Sequence, residues 1–230
     1  MIASRQQLEE AALSYGILPF FSNRIKGFSV EEMAAPGMLF GDNSDDWGCW
    51  DWKGPVIRQQ TTAYGKFFRR KAGFVSLELY PDFLNYRRAQ YPVEEGSAEA
   101  RILELVNGNE ASTSAEMRKI IFGAADRKRA PRNLADVIEG TKPRRSILEP
   151  ALQHLQMGGR LLIADFEYKY TAKGDRYGWG VALYTTPEIW FGERIADVPR
   201  TPDESFQKLC DHLAAKLPDA DRNEIVKLLR

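Results

Sequence analysis

Apolar and polar residues alternate with helical spacing in the first stretch of the chain. Leu8, Ala11, Ala12 and Tyr15 fall on one side of residues 4–15 and predict an amphipathic helix. A second helix is predicted over FSVEEMA (28–34), where Ser29 and Glu32 have capping-box spacing. The pattern then breaks. PGMLFGDNSDDWGCWDWKGPV (36–56) is rich in Gly, Pro and Asp and predicts a loop with at most one short strand. The aromatic and basic block AYGKFFRRKAGFVSLELYPDFLNYRR (63–88) fits strand and helix alike, so its type stays open. Small and charged residues in VEEGSA (93–98) mark a boundary. It divides the chain into an N-terminal α/β module (1–95), rich in aromatic and basic residues, and a second domain (96–230).

Beyond that boundary the pattern is more regular. SAEARILELVNG predicts a helix with Ile102, Leu103, Leu105 and Val106 apolar and Gly108 as its stop. TSAEMRKIIFG predicts another, with Thr113 and Glu116 as a capping box and Gly123 closing it. The third begins at Ser146, with Glu149 three residues on and Pro150 in the first turn, where a missing N–H costs little. Leu148, Ala151, Leu152 and Leu155 share its apolar face. RLLIADFEYKY and YGWGVALYTT then read as two strands joined by TAKGDR, a turn centred on Gly174. Two more helices follow, over 201–217 and 221–229. Three helices followed by a two-stranded ribbon is the order of a winged helix. The expected fold is therefore α+β and mostly helical, built from winged-helix-like modules of helix-turn-helix plus hairpin wing.

Charge sharpens this picture. The 230-residue chain holds 32 Lys+Arg against 32 Asp+Glu, a neutral total that argues against a uniformly basic nucleic-acid binder. Between Arg118 and Arg145, however, nine Lys/Arg stand against three acids, a local excess of +6. A basic stripe beside a helix-turn-helix is an electrostatic footprint for DNA. On this reading Arg127, Lys128, Arg129, Arg144, Arg145 and Gln153 approach DNA, the third helix enters the major groove, and Lys173 and Arg176 on the wing meet the backbone. Arg reads guanine and Gln reads adenine in a bidentate way.

The phrases ILEPALQHLQMGGRLLIADF and YGWGVALYTTPE resemble the winged-helix region of the AlkZ/YcaQ-type DNA glycosylases, and the short AlkZ-related proteins of gut bacteria carry much the same phrase. SLELYPDFLNYRR (76–88) is similar to a further segment of those enzymes. The resemblance implies tandem winged helices, a β-barrel with a Gln-x-Gln or Gln-x-Asp motif that activates water, and removal of alkylated bases or unhooking of crosslinks. This chain has neither motif; its pairs Gln6–Gln7 and Gln59–Gln60 are adjacent. The expectation is a DNA-binding protein of the repair class without the usual catalytic motif. The alternatives are an active glycosylase using a displaced carboxylate, Asp51 or Glu78, and a protein-interaction module that has lost DNA contact.

Other features change the picture less. Trp47, Trp50 and Trp52 lie in WGCWDW; Trp50 and Trp52 are candidates for stacking on an extruded base, against the plainer reading of a core patch under a loop. Lys66, Arg69, Arg70, Lys71, Arg87 and Arg88 fit either backbone tracking or a solvated basic face. His154 and His212 have no metal-ligand spacing, and Cys49 and Cys210 are too far apart for a zinc or redox motif. No nucleotide-binding or nucleophile-elbow motif occurs, so no cofactor and no metal are expected. Charges in MIASRQQLEEAALSYG and the lack of a long apolar run predict a cytoplasmic protein with no membrane partner.

Overall fold

The computed structural model describes residues 1–41, 48–108, 112–122, 145–174 and 176–230. Helix α1 (Arg5–Tyr15) starts at Ser4, whose side chain accepts from Gln7 N, and ends on Gly16 in the left-handed region. It leads into strand β1 (Ile17–Pro19) and the short helix α2 (Val30–Met33), capped by Ser29 as its spacing predicts. Helix α3 (Cys49–Arg58) follows, where the sequence predicts loop. The Gly, Pro and Asp content of that stretch misleads because Gly54 and Pro55 are accommodated inside the helix and the other turn formers serve its start. Gly48 is the N-cap and Asp51 lies in the first turn, where the helix dipole favours an acid.

The open block 63–88 resolves into strands β2 (Thr62–Phe68) and β3 (Lys71–Ser76) and helix α4 (Tyr80–Gln90). β1, β3 and β2 form an antiparallel sheet in that order. The β2–β3 turn is made by Arg69 and Arg70 alone, with φ of 49° and 67°. Two central residues at positive φ define a type I′ turn, which normally takes Asn-Gly because a Cβ is strained there. Replacing the pair with Asn-Gly is expected to stabilise the protein by about 1–2 kcal/mol, read from the shift in urea midpoint at unchanged slope.

The second half begins with α5 (Ala98–Asn107), capped by Ser97 and stopped at Gly108. Strand β4 (Ser112–Thr113) precedes α6 (Ser114–Phe122), and Thr113 and Glu116 form the predicted reciprocal cap. Helix α7 (Arg145–Met157) begins one residue before Ser146, so Ser146 is within the helix rather than its cap. Strands β5 (Leu162–Tyr170) and β6 (Arg176–Thr185) make the hairpin, with Gly174 at positive φ in its turn. The sheet order is β4–β6–β5, all antiparallel. A short strand ahead of the second helix thus pairs with the far strand of the hairpin. That pairing ties helix-turn-helix to wing, and it gives a winged-helix-like module. β4 is only two residues long, too short for an alternation signal.

The chain ends in α8 (Pro187–Phe191), a 3₁₀ turn (Gly192–Arg194), α9 (Pro202–Lys216) and α10 (Arg222–Leu229). α9 carries a full Thr201–Glu204 capping box and packs along α4. Buried Asp82 of α4 receives Arg200 at 3.0 Å, Lys208 at 2.5 Å and Ser205 at 2.9 Å. Arg87, expected on a solvated or nucleic-acid-facing surface, is instead completely buried and donates to the carbonyls of Phe67 and Arg230. Its neighbour Arg88 is paired with Glu188 at 2.6 Å.

One hydrophobic core runs from Ile2 to Leu229 and includes both halves of the chain. Leu148, Ala151, Leu152 and Leu155 of α7 are all buried in it, as their spacing predicts. α7 lies between α5 and β2. On the β2 side, buried Gln156 accepts from Lys66 N at 3.0 Å, and Arg70 N donates to Met157 Sδ at 3.3 Å. The geometry that matters for function is the position of α3, which packs across the root of the wing on β5.

Candidate nucleic-acid interface

Three elements build the site: the 38–41 segment, α3 and the wing. Segment 38–41 is clamped to the start of α3 by two bonds, Cys49 N to Met38 O at 2.7 Å and Trp50 N to Leu39 O at 2.9 Å. This approach requires Gly48, because a Cβ there would stand 2.5 Å from Gly41 N and 2.6 Å from Met38 O. The clamp brings Phe40 beside Trp50, with ring centroids 5.9 Å apart.

The third ring comes from the wing. The β5–β6 register shifts between Glu167 and Lys169, where the pairs are Glu167–Val181 and Lys169–Tyr177. The extra residues on β6 fall in Gly178-Trp179-Gly180, with Gly178 at φ 73°. A bulge re-aims the side chain it carries. Gly180 also lets Tyr168 lie close, since a Cβ would be 2.8 Å from its Cε1. Trp179 is thrown outward, 69% exposed, with its ring edge-to-face on Trp50 at 5.6 Å and on Phe40 at 6.1 Å. Phe40 is 52% exposed, and Tyr170 further along the wing is 60% exposed. Lys169 and Lys173 are exposed on the same hairpin, beside a single exposed acid, Glu167, over 167–174.

Beneath this aromatic edge lies a charged cluster. Asp51, 4% exposed, pairs with Arg176 of β6 at 2.7 Å. Arg176 also lies over the Tyr168 ring at 4.4 Å. Arg58 at the far end of α3 pairs with Asp165 of β5 at 2.6 Å, so two ion pairs fasten the helix to the wing root. Lys53 is 1% exposed. Its Nζ sits 3.8 Å from the Trp50 ring centre and 4.2 Å from that of Phe166, and it donates to the Trp50 carbonyl. Burial pushes the Lys53 ammonium down to about 7; the Asp51 carboxylate opposes this and the Arg176 guanidinium adds to it.

The residues singled out in the sequence separate accordingly. Arg127, Lys128, Arg129 and Arg144 lie outside the described residues, as do Trp47 and Gly123. Arg145 is the first residue of α7. Gln153 is half-buried on α7, next to His154, whose Nε2 lies 3.0 Å from Pro92 O. The middle of α7 is thus bordered by the N-terminal half of the chain. Lys173 is exposed at the wing tip, while Arg176 turns inward to Asp51. Trp50 belongs to the aromatic edge, and Trp52 is partly buried against the core. Asp51 is in the cluster, whereas Glu78 is exposed in the turn before α4.

Two central residues have signals that sequence reasoning passed over. Trp179 is flanked by glycines inside a strand pattern, which marks a bulge. Lys53 falls on the apolar face of Cys49, Val56 and Ile57 once 49–58 is recognised as helix. Burial pushes the thiols of Cys49 and Cys210 up to about 11, so neither is a ready nucleophile. Among the described residues, no group of three His, Cys, Asp or Glu is placed to hold a metal, and no helix is long and apolar enough to cross a membrane.

Fold and wing together define a winged-helix-like α+β protein. The chain belongs to the family described as AlkZ related, whose model matches residues 2–230. Among solved structures it is similar to the Streptomyces sahachiroi DNA glycosylase AlkZ, with 14% sequence identity and a TM-score of 0.43. The match covers 94% of this chain and 57% of that one, so the chain spans a little over half of its relative's length. No curated protein matches the chain.

Proposed function

We propose that this protein binds DNA in a repair setting through its wing and the adjoining end of α3, without the Gln-x-Gln or Gln-x-Asp motif. The observation that carries the reading is the exposed edge itself. A bulge that turns a tryptophan into solvent beside two further rings loses burial that a core position would gain. Such an edge, flanked by Lys169 and Lys173, suits a ligand with flat faces and a phosphate backbone. Family membership supports the same reading, as does the basic excess between Arg118 and Arg145, which contains Arg127, Lys128, Arg129 and Arg144. Major-groove reading by Gln153 is the weaker part of the sequence expectation, because its helix is flanked by β2 and by Pro92.

The test is a salt titration of duplex binding. Each phosphate contact contributes about −0.9 to the slope of log K against log salt. Lys169→Ala/Lys173→Ala is therefore expected to flatten the wild-type slope by about 2. A wild-type protein that binds without salt dependence, or not at all, overturns the reading and favours a protein partner.

A further inference from the structure

Lys53 is not among the side chains exposed on the proposed DNA surface, yet its environment is unusual for a lysine. Lysine is rarely buried unless paired. Here the amine is 1% exposed, lies between two aromatic rings at 3.8 and 4.2 Å, and has one carboxylate, Asp51, whose direct ion-pair partner is Arg176. Burial, with the Arg176 guanidinium adding to it, favours the free-base form over the opposing Asp51 carboxylate and ring faces, and a desolvated amine beside another cation is the arrangement that turns a lysine into a nucleophile.

We infer that Lys53 is a Schiff-base nucleophile for an aldehyde, and that the aldehyde class fitting this site is the ring-opened deoxyribose of an abasic nucleotide. The inference rests on the DNA reading above. The aromatic edge gives it its form. Lys53 lies directly against Trp50, which carries the edge contacts to Phe40 and Trp179. A deoxyribose that has lost its base leaves a gap in the stack. Rings that fill the gap bring the sugar to the end of α3, and the amine becomes reachable when the Trp50–Trp179 edge contact opens. The depressed ammonium supplies free base near neutral pH.

The step balances without oxidant or metal. The Nζ lone pair attacks the aldehyde carbon and forms a C–N bond. The carbonyl oxygen leaves as water, carrying the two amine protons, and an imine remains. Protonation of the imine nitrogen by solvent makes the adjacent carbon acidic. Its proton passes to the Asp51 carboxylate, the electron pair forms a C=C bond, and the 3′-phosphate leaves the next carbon. Hydrolysis of the imine then restores the lysine.

Borohydride trapping tests this. The full chain is mixed with a duplex carrying one abasic aldehyde and reduced with sodium borohydride. The covalent product is mapped by mass spectrometry. In parallel, binding is measured to a duplex with a tetrahydrofuran in place of the sugar, which has no aldehyde. The expected result is an adduct on Lys53, with a trapping rate that rises through pH 7. Lys53→Met should lose at least tenfold of the trapping while keeping tetrahydrofuran-duplex affinity. Methionine matches the stem and suits the apolar pocket, so the variant folds. Binding to the tetrahydrofuran duplex with no adduct, or with an adduct on another amine, overturns the role of Lys53 and leaves the DNA reading standing. Binding to neither duplex overturns both.

Discussion

Folding stability is expected to rise by about 1–2 kcal/mol between pH 6 and pH 8.5, and the rise should vanish in Lys53→Met. The folded amine releases its proton near pH 7, while the unfolded chain holds it to about pH 10.4. Across that window the unfolded state therefore carries one more proton, and stability climbs with pH. Below pH 7 both states are protonated and the full penalty of burying the ammonium is present, so stability is lowest there. The roughly 1.5 pH units between 7 and 8.5 correspond to about 2 kcal/mol, and the faces of Trp50 and Phe166, which favour the ammonium, reduce the rise. The groups that act on this amine are Asp51 and Arg176, and Tyr168 lies beside Arg176. Above about pH 8.5 the buried thiols of Cys49 and Cys210 oppose the rise, because unfolded thiols ionise there while burial holds the folded ones up at about 11; above pH 10 the burial of Tyr64, Tyr80 and Tyr184 acts the same way. Urea unfolding at pH 6, 7 and 8.5 measures the effect. A flat profile for the wild type would contradict it.

The second large effect concerns the carboxylate. Asp51→Ala is expected to lose about 3–4 kcal/mol at pH 6. The side chain is buried, and its removal leaves Arg176 and Lys53 as cations facing one another at the wing root. The loss should shrink at pH 9, where Lys53 is neutral. It should also fall to about half in a Lys53→Met background, since contacting charges are not additive. Thermal or urea unfolding of the four proteins in this cycle checks both statements. Equal losses with and without Lys53 would show that Asp51 acts on Arg176 alone.

The winged-helix-like module was legible because its signals are local. The α7 leucines repeat at helical spacing, the Thr113 cap sits where its glutamate requires it, and Gly174 marks the hairpin turn. Strand β4 depends on a partner distant in sequence, β6, and the split of residues 62–90 was hidden because its hairpin turns on Arg69-Arg70 instead of a recognisable turn pair and its second strand also pairs with distant β1. The site was half legible. Trp50 and Asp51 stood out by residue type, but α3 was hidden because Gly48, Gly54 and Pro55 imitate a loop. With the helix hidden, nothing in the sequence set Lys53 apart. Arg176 read as a phosphate contact because its carboxylate partner comes from the other half of the chain. The same applies to Arg87, whose partners are carbonyls at Phe67 and Arg230.

Photocrosslinking tests the central claim most directly. Duplexes and abasic duplexes carrying 5-iododeoxyuridine are irradiated with the full chain, and the attached peptides are sequenced. Attachment is expected at Trp179, Tyr170 or Phe40, the exposed rings of the wing and its neighbour. Attachment confined to α9 and α10, or none under conditions where DNA is bound, would contradict it.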